Sequence, residues 1–446
     1  MNTTAQNNAV LNMSFARDEA GGITVLNLFF VMVLAIFAGV AIDMAKLTQA
    51  RTKLQVAADT AAHAALYTRD TTDAATAKST AIDIAHDIMP TSTYGDVLRV
   101  ENISFGTWDR DNETFTHNPG SRAAVFVVAD RLSANANPVT SFLMQFVGFD
   151  NWDVVTPSVF ETYRPTCLRE GLVAEDVVDF QSGNNYFNGF CIHSNTYVSL
   201  NQNNDFESGT IVSMPEMGDL DLPASGFESN SGLQDALREG RTRLRILSRL
   251  TDIMDGMTDS TSRYYRDFVT SSTPIAISKT GVGNGRNVDV ADLTPGRVHN
   301  ITCTNPNGQL TFEGATFSDV VIITNCVTQM SNGTAWEDAT VIITNTGIDT
   351  VKTPSGFRIG RDDGCADGGG VQLLTFGSIS GASGLEMYGS QIIALGDVEF
   401  TAQNNGIEGA SIVAGGTISV TSGSDFAFCG GGMGNTFQAE YFRLAT

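Results

Sequence analysis

The stretch "VVIITNCVTQMSNGTAWEDATVIITNTGI", residues 320–348, contains the pentapeptide VIITN twice, at 321 and at 341. The pattern extends to both sides. "ITCTN" begins at 301, and "IIALGDVEF" at 392 and "IVAGGTISV" at 412 are again 20 apart. "LLTFGSI" at 373 falls one residue short of that step. Each unit has a β-branched strand, then Asn or Gly, then a second short strand. A period near 20 with this content points to a β-solenoid, in which one coil cannot bury its inward face and stacked coils share a core. The expected fold of residues 275–430 is therefore a parallel β-helix, with Asn305, Asn325 and Asn345 stacked at a turn. A β-sandwich also uses many short strands and is the competing reading; the regular repeat favours the solenoid. Handedness is not readable.

"TPSGFRIGRDDGCADGGG", residues 353–370, interrupts the repeat and reads as a loop leaving the coils. Asp362, Asp363 and Asp367 cluster in it. Carboxylates so placed can hold Ca²⁺ or cleave glycosides, but most acidic loops of acidic exported proteins do neither. No catalytic residue and no cofactor is expected. "GVGNG", 281–285, lacks the strand-to-helix setting of a dinucleotide loop. His193 stands two residues after Cys191, without a second pair to complete a metal site.

The chain has 446 residues, enough for two or three folded units. Its formal net charge is -23, from 49 acids against 26 bases. That balance excludes nucleic acid as a natural partner, because phosphates need clustered Lys and Arg. Six cysteines occur, none in a CxxC pair. An even count in an exported chain suggests disulfides, for which six cysteines allow 15 connectivities. The sequential pairing joins Cys167 with Cys191, Cys303 with Cys326, and Cys365 with Cys429. Residues 303 and 326 lie about one coil apart, off the 20-residue step by three.

Residues 22–42, "GITVLNLFFVMVLAIFAGVAI", carry no charge over 21 residues. At 1.5 Å rise such a run spans the hydrocarbon core, and it is too long for a cleaved signal peptide. It reads as an uncleaved transmembrane anchor after a cytoplasmic segment, 1–21. The bases Lys46, Arg51 and Lys53 on the far flank oppose export of the carboxyl side. Long domains, however, translocate largely regardless of charge, and a large cysteine-bearing region with no nucleotide motif fits export. Asn27 within the span, and the small-xxx-small pair Ala35 and Gly39, would suit packing against a second membrane helix.

Beyond the span, Leu47, Leu54, Ala58, Ala61 and Ala65 form a helical seam, so residues 43–90 read as a helical stalk. A partner helix at 72–89 ends at Pro90. The Ala-rich seam also allows homo-oligomerisation through the stalk.

"RDEAGGITVLNLFFVMVLAIFAGVAIDMAKLTQARTKLQVAADTAAHAAL", residues 17–66, resembles the amino-terminal region of TadG-like proteins of the bacterial Tad (Flp) pilus system. The likeness rests on Arg17-Asp18-Glu19, Gly21-Gly22, Asp43, Leu54-Gln55, Ala57-Ala58-Asp59 and Ala61-Ala62. It continues more weakly to about residue 215, through "SFGTWD" at 104 and "FESGTIVSMP" at 206. The resemblance implies an inner-membrane, single-pass protein with a periplasmic carboxyl region. It implies pilus assembly proteins or pilin subunits as partners, and no enzyme activity. Two departures matter. Asn27 stands where pilins and their relatives have a Glu, and an amide cannot neutralise a neighbour's amino terminus, which argues against prepilin-peptidase processing. "DSTSR", 259–263, puts Thr261 and Arg263 where a von Willebrand A metal site needs serines.

Residues 91–230 alternate and read as a small α+β, pilin-like domain, with strands near 97–108, 123–132 and 152–165 and a helix over 137–149. Residues 231–270 contain an amphipathic pattern at 232–257, in which Leu233, Leu237, Leu244, Leu247 and Met254 recur at helical spacing. Arg238, Arg241, Arg245 and Arg249 would share one face of that helix. The stripe offers a dock for an acidic partner or a neighbouring subunit. The plainer reading, a solvated face paired with the protein's own carboxylates, is favoured. Residues 431–446 read as a tail. The sequence thus suggests a membrane-anchored component of a Tad-type pilus, with a surface adhesin or glycan-binding β-helix protein as the alternative.

Overall fold

The computed structural model describes residues 20–445, except 188, 306, 354–355, 365, 382–384, 401–405, 431–433 and 435. The expected cytoplasmic segment 1–21 therefore lies almost wholly, and Cys365 wholly, outside the described residues. The chain divides into two compact units, Met1–Tyr163 with Glu440–Thr446, and Arg164–Ala439.

The first unit is built on the helix Ala20–Arg69, 50 residues long. Its first half is long and apolar enough to cross a membrane. Its second half is rich in alanine, the best helix former. A hairpin turn leads to the helix Ala74–Ile88, whose Asp73 cap accepts a hydrogen bond from the Thr76 N–H at 2.9 Å. Both helices lie on an antiparallel sheet ordered Thr114–His117, Ile103–Asp109, Ala124–Arg131, Val154–Tyr163 and Tyr441–Leu444. The stalk seam is filled by its own chain. Leu54, Ala58, Ala61 and Ala65 are fully buried, the last two against Ala77, Ala81, Ile103, Phe105 and Val125. The seam is thus filled by the partner helix expected at 72–89 and by the sheet, because methyl side chains let both approach closely.

Two expectations for this unit are corrected. The helix read at 137–149 is the short strand Val139–Thr140, a 3-10 turn Met144–Val147 and the strand Asn151–Trp152. Gly148, at φ 89°, ends the turn in a conformation no helix continues. The expected tail 431–446 supplies the edge strand Tyr441–Leu444, whose Tyr441 faces Tyr163. Arg443 Nε donates to Glu161 Oε1 at 2.7 Å, and Arg110 binds the same carboxylate. The second unit is therefore inserted between two paired strands of the first.

The second unit consists of parallel sheets. The strands Ser271–Lys279, Arg297–Cys303, Val320–Thr324, Thr340–Ile343, Gln372–Thr375, Glu386–Ala394 and Ile407–Ala414 pair successively. The row then continues with an earlier part of the chain. Ile412 faces Leu172 in the strand Gly171–Ala174, followed by Cys191–Ser194, Ile211–Met214 and Leu237–Glu239. A nine-stranded parallel sheet repeats this permuted order, with Ile418–Val420 beside Val178–Phe180.

The expected α+β domain therefore ends before Gly171, and the parallel region begins there rather than at 275. Leu172, Ile192 and Val212, each 20 apart, are direct register partners. The expected alignment of 301 with 321 is also corrected. Val298 faces Val321, an offset of 23, while Ile322 faces Val341, an offset of 19. Part of the interruption at 353–370 returns to the sheet, since Arg358–Ile359 pairs with both Ala335–Trp336 and Glu386–Met387.

The strands carry two apolar faces. Leu172, Ile192, Ile322, Val341, Leu373, Ile392 and Ile412 point into one core. Val173, Val298, Val321, Ile342, Leu374, Ile393 and Val413 form the opposite face, covered by Leu244, Ile246, Leu250, Ile253 and Met257. Burial on both faces explains why these strands read as continuous apolar runs instead of alternating. The covering segment has a topological origin. After Glu239 at one end of the row, the chain must restart at Ser271 at the other. Ten parallel steps separate them, about 48 Å at 4.8 Å each.

The single helix expected at 232–257 is accordingly broken. Leu233–Ala236 is one turn after Gly232 (φ 74°), Leu237–Glu239 is a strand paired with Val212–Met214, Arg245–Arg249 is 3-10, and only Leu250–Gly256 continues as α-helix. Pairing with the sheet edge outweighs the helical periodicity.

Candidate functional site

The most connected polar group near the apolar helix is Asp43, which directly follows the uncharged run. Its carboxylate accepts hydrogen bonds from three successive backbone N–H groups, of Phe142 at 2.5 Å, Leu143 at 2.9 Å and Met144 at 2.6 Å. Burial works against its charge, but the three donors outweigh it and hold the carboxyl below the ordinary aspartate range. One turn earlier, Gly39 meets the same loop. A Cβ built there would lie 3.2 Å from Leu143 Cβ. One turn later, Lys46 Nζ donates to Thr140 O at 2.7 Å. Gly39 and Asp43 thus fasten the loop 141–149, and Lys46 holds the strand residue just before it.

The expected membrane-packing residues are therefore separated. Gly39 is buried against its own chain, whereas Asn27 and Ala35 stay exposed on the helix. The sequence signal for the junction was the Asp at the helix exit. Its partners, about 100 residues away, could not be read from spacing.

The other candidates come apart or become structural. Arg238 and Arg241 are exposed, and Arg238 donates to Asp235 O and Leu237 O. Arg245 and Arg249 are half-buried on the covering segment, and Arg249 pairs with Asp252 at 3.0 Å. The four do not share a helix face, since the helix that would align them is absent. In the 353–370 segment, Asp363 Oδ1 accepts the Ala366 N–H at 3.0 Å, and Arg361 stands 3.9 Å from its other oxygen. Among the described residues, no group of three or more His, Cys, Asp or Glu could hold a metal ion. Asp362, Asp363 and Asp367, the weaker Ca²⁺ reading of this loop, are not such a group. His193 is buried with both ring nitrogens engaged, Nδ1 to Ser213 Oγ at 2.7 Å and Nε2 to Asn195 Oδ1 at 3.0 Å. Desolvation lowers its pKa, so it stays neutral and structural.

Two of the expected disulfides are present, Cys167–Cys191 and Cys303–Cys326. The latter spans 23 residues, which equals the register offset of the strands before it, so its Cα atoms sit 5.5 Å apart. The third expected pair includes Cys365 and lies outside the described residues.

The asparagine ladder sits elsewhere than expected. Asn184 donates to Asn204 Oδ1 at 3.0 Å, Asn204 donates to Asn230 Oδ1 at 3.1 Å, and Ser424 N donates to Asn184 Oδ1 at 2.9 Å. All four residues are buried. "GNNY" at 183 and "NNDF" at 203, which place Asn184 and Asn204 20 apart, were the legible signal. Of the expected set, Asn345 donates to Asn325 O at 3.3 Å, exposed, and accepts from Gly347 N at 2.9 Å; Asn325 Oδ1 accepts from Cys303 N at 3.0 Å, and Asn305 accepts locally from Asn307 N.

A polar cleft of about 360 Å³ is lined by Arg263, Arg266, Asp267, Asp319, Asp338 and Phe437. Burial lowers the Arg266 pKa to about 10, which leaves it cationic at neutral pH. The cleft brings two arginines and three aspartates together.

Two family models match the chain. One, described as a domain of unknown function (DUF7867), covers residues 171–430, which begins at the first parallel strand and ends just after the last. The other, Tad, described as Flp pilus-assembly TadE/G-like, covers residues 21–76, the long helix and the turn after it. No curated protein matches the chain, and no solved structure does.

Proposed function

We propose, from the premise that this chain belongs to the DUF7867 family and carries a TadE/G-like amino-terminal segment, that it is a membrane-anchored structural component of Tad (Flp) pilus assembly. The TadE/G-like segment on the long helix carries this reading. That helix fits a single-pass anchor, since it is apolar enough to cross a bilayer and runs unbroken into a folded α+β unit. The anchor lies in the inner membrane, the unit it carries is the pilin-like element, and the carboxyl region faces the periplasm. Two disulfides support that side, because such bonds persist in oxidising compartments. The parallel sheets are the faces of a β-helix that binds pilus subunits or assembly proteins. The role is presentation, without catalysis.

The insertion geometry supplies the test. Because Tyr163 and Tyr441 are register partners, residues 164–439 can be replaced by a short Gly-Ser linker with the antiparallel sheet kept closed. A deletion of 275–430 alone would strand the strands at 171–239 without their neighbours. Surface pili are counted by electron microscopy in a strain carrying the replacement, with membrane levels checked by blotting. Loss of pili with the anchor unit still present is the expected result. Normal pilus numbers would remove the parallel-sheet unit from assembly and leave adhesion or glycan binding as its role.

A further inference from the structure

We propose that the loop 141–149 is a second membrane contact, a wedge of aromatic side chains lying in the lipid interface beside the anchor helix. The inference rests on the anchor reading and adds to it a site that a lone spanning helix does not have.

The loop reads "SFLMQFVGF", without a charged residue. Phe142 is 56 % exposed, Phe146 81 %, Val147 53 % and Phe149 58 %. Large apolar side chains rarely cluster so openly on a surface meant for water. Their position along the helix identifies what covers them. Leu143 packs on Gly39, which lies inside the uncharged run, about 6 Å of helix rise below Asp43. The exposed helix residues at that level, Ile36, Phe37, Val40 and Ile42, are themselves lipid-facing if the run spans. The loop and helix therefore present one continuous apolar surface at the depth of the bilayer boundary.

The polar groups agree with that placement. Backbone N–H groups entering a bilayer must find acceptors. Those of residues 142–144 are taken by Asp43, and the same three bonds satisfy a carboxylate that lipid would otherwise penalise. Lys46 stands one turn above, near the expected headgroup level, where Lys is favoured. Phe is among the side chains that interfacial segments bury at the headgroup and acyl boundary. An apolar turn with its backbone donors neutralised from within is suited to lipid. A protein-docking turn in water would not need that neutralisation.

The test places a spin label at Phe146→Cys in the full chain, reconstituted in phosphatidylethanolamine and phosphatidylglycerol vesicles. Its collisions with oxygen and with a water-soluble nickel chelate are compared by power-saturation EPR. Labels at Val31→Cys, in mid-span, and at Asn112→Cys, on an exposed turn, provide the references. An oxygen-to-nickel ratio at residue 146 several-fold above that at 112 is expected. If 31 reports lipid and 146 resembles 112, the wedge is refuted while the anchor stands. If 146 is shielded from both reagents, a protein surface covers the loop and the proposal is equally overturned. If 31 itself reports water, the anchor reading fails first. A label at Phe149→Cys repeats the measurement independently of local effects at 146.

Discussion

Asp179 has two parallel register partners in the nine-stranded sheet, Ser199 on one side and Ser419 on the other. The first is a neighbour in sequence; the second is brought beside it only by the permuted stacking. All three positions are half-buried and can be changed to cysteine. Adjacent strands lie about 4.8 Å apart, within the roughly 4.4–6.8 Å that a disulfide bridges. The variant Asp179→Cys with Ser419→Cys should therefore oxidise spontaneously in the folded protein. Non-reducing peptide mapping detects the product, with Asp179→Cys and Ser199→Cys as the positive control. Closing the loop from 179 to 419 would stabilise by about 5 kcal/mol in the chain-entropy model. The full amount applies only if the whole chain unfolds together. While the first unit stays folded, Tyr163 and Tyr441 already hold the ends of the insertion near each other. Most of the loop entropy is then already lost, and the gain falls towards zero. The melting temperature should accordingly rise by between nothing and roughly 10–20 °C, and the position of the rise reports whether the units unfold together. Formation of the control bond without the 179–419 bond would refute the permuted order.

Ile253→Ala, in the segment covering the outer apolar face, should cost about 2–5 kcal/mol in denaturant unfolding, since Ile253 is fully buried there. Asn204→Ala leaves the Asn184 backbone N–H buried without its acceptor and should cost roughly 1–3 kcal/mol, while the Asn184 amide keeps Gln181 O and Asn230 Oδ1 keeps the backbone N–H of residue 204; Asn345→Ala, on the exposed counterpart, should stay within about 0.5 kcal/mol. Glu161 is desolvated, yet Arg110 and Arg443 outweigh that and hold its folded pKa below the ordinary 4.5. Its contribution is therefore present above pH 4.5 and lost as pH falls through the lower folded value. Glu161→Gln should flatten the acid limb of the first unit's stability, and an unchanged pH profile would show that the ion pairs are energetically silent.

Much of this protein was determined locally and could be read along the chain. The apolar run 22–42 and the alanine seam need only residue type and the helical period, and both emerge in one 50-residue helix. The β-branched runs near 321, 341, 373, 392 and 412 likewise became parallel strands, because continuous apolarity is what burial on two faces demands. The tertiary structure decided what no period encodes. The sheet order joins Ile412 to Leu172 because strand edges pair by geometry and are blind to chain order. That choice forces residues 240–270 to return along the row, and a segment written with helical spacing was divided between a strand, a 3-10 turn and a short helix to cover the outer face. Asp43 shows the same limit at a single residue. Its position at the end of the apolar run was legible, but the three N–H groups it binds lie about 100 residues away and reach it only through packing.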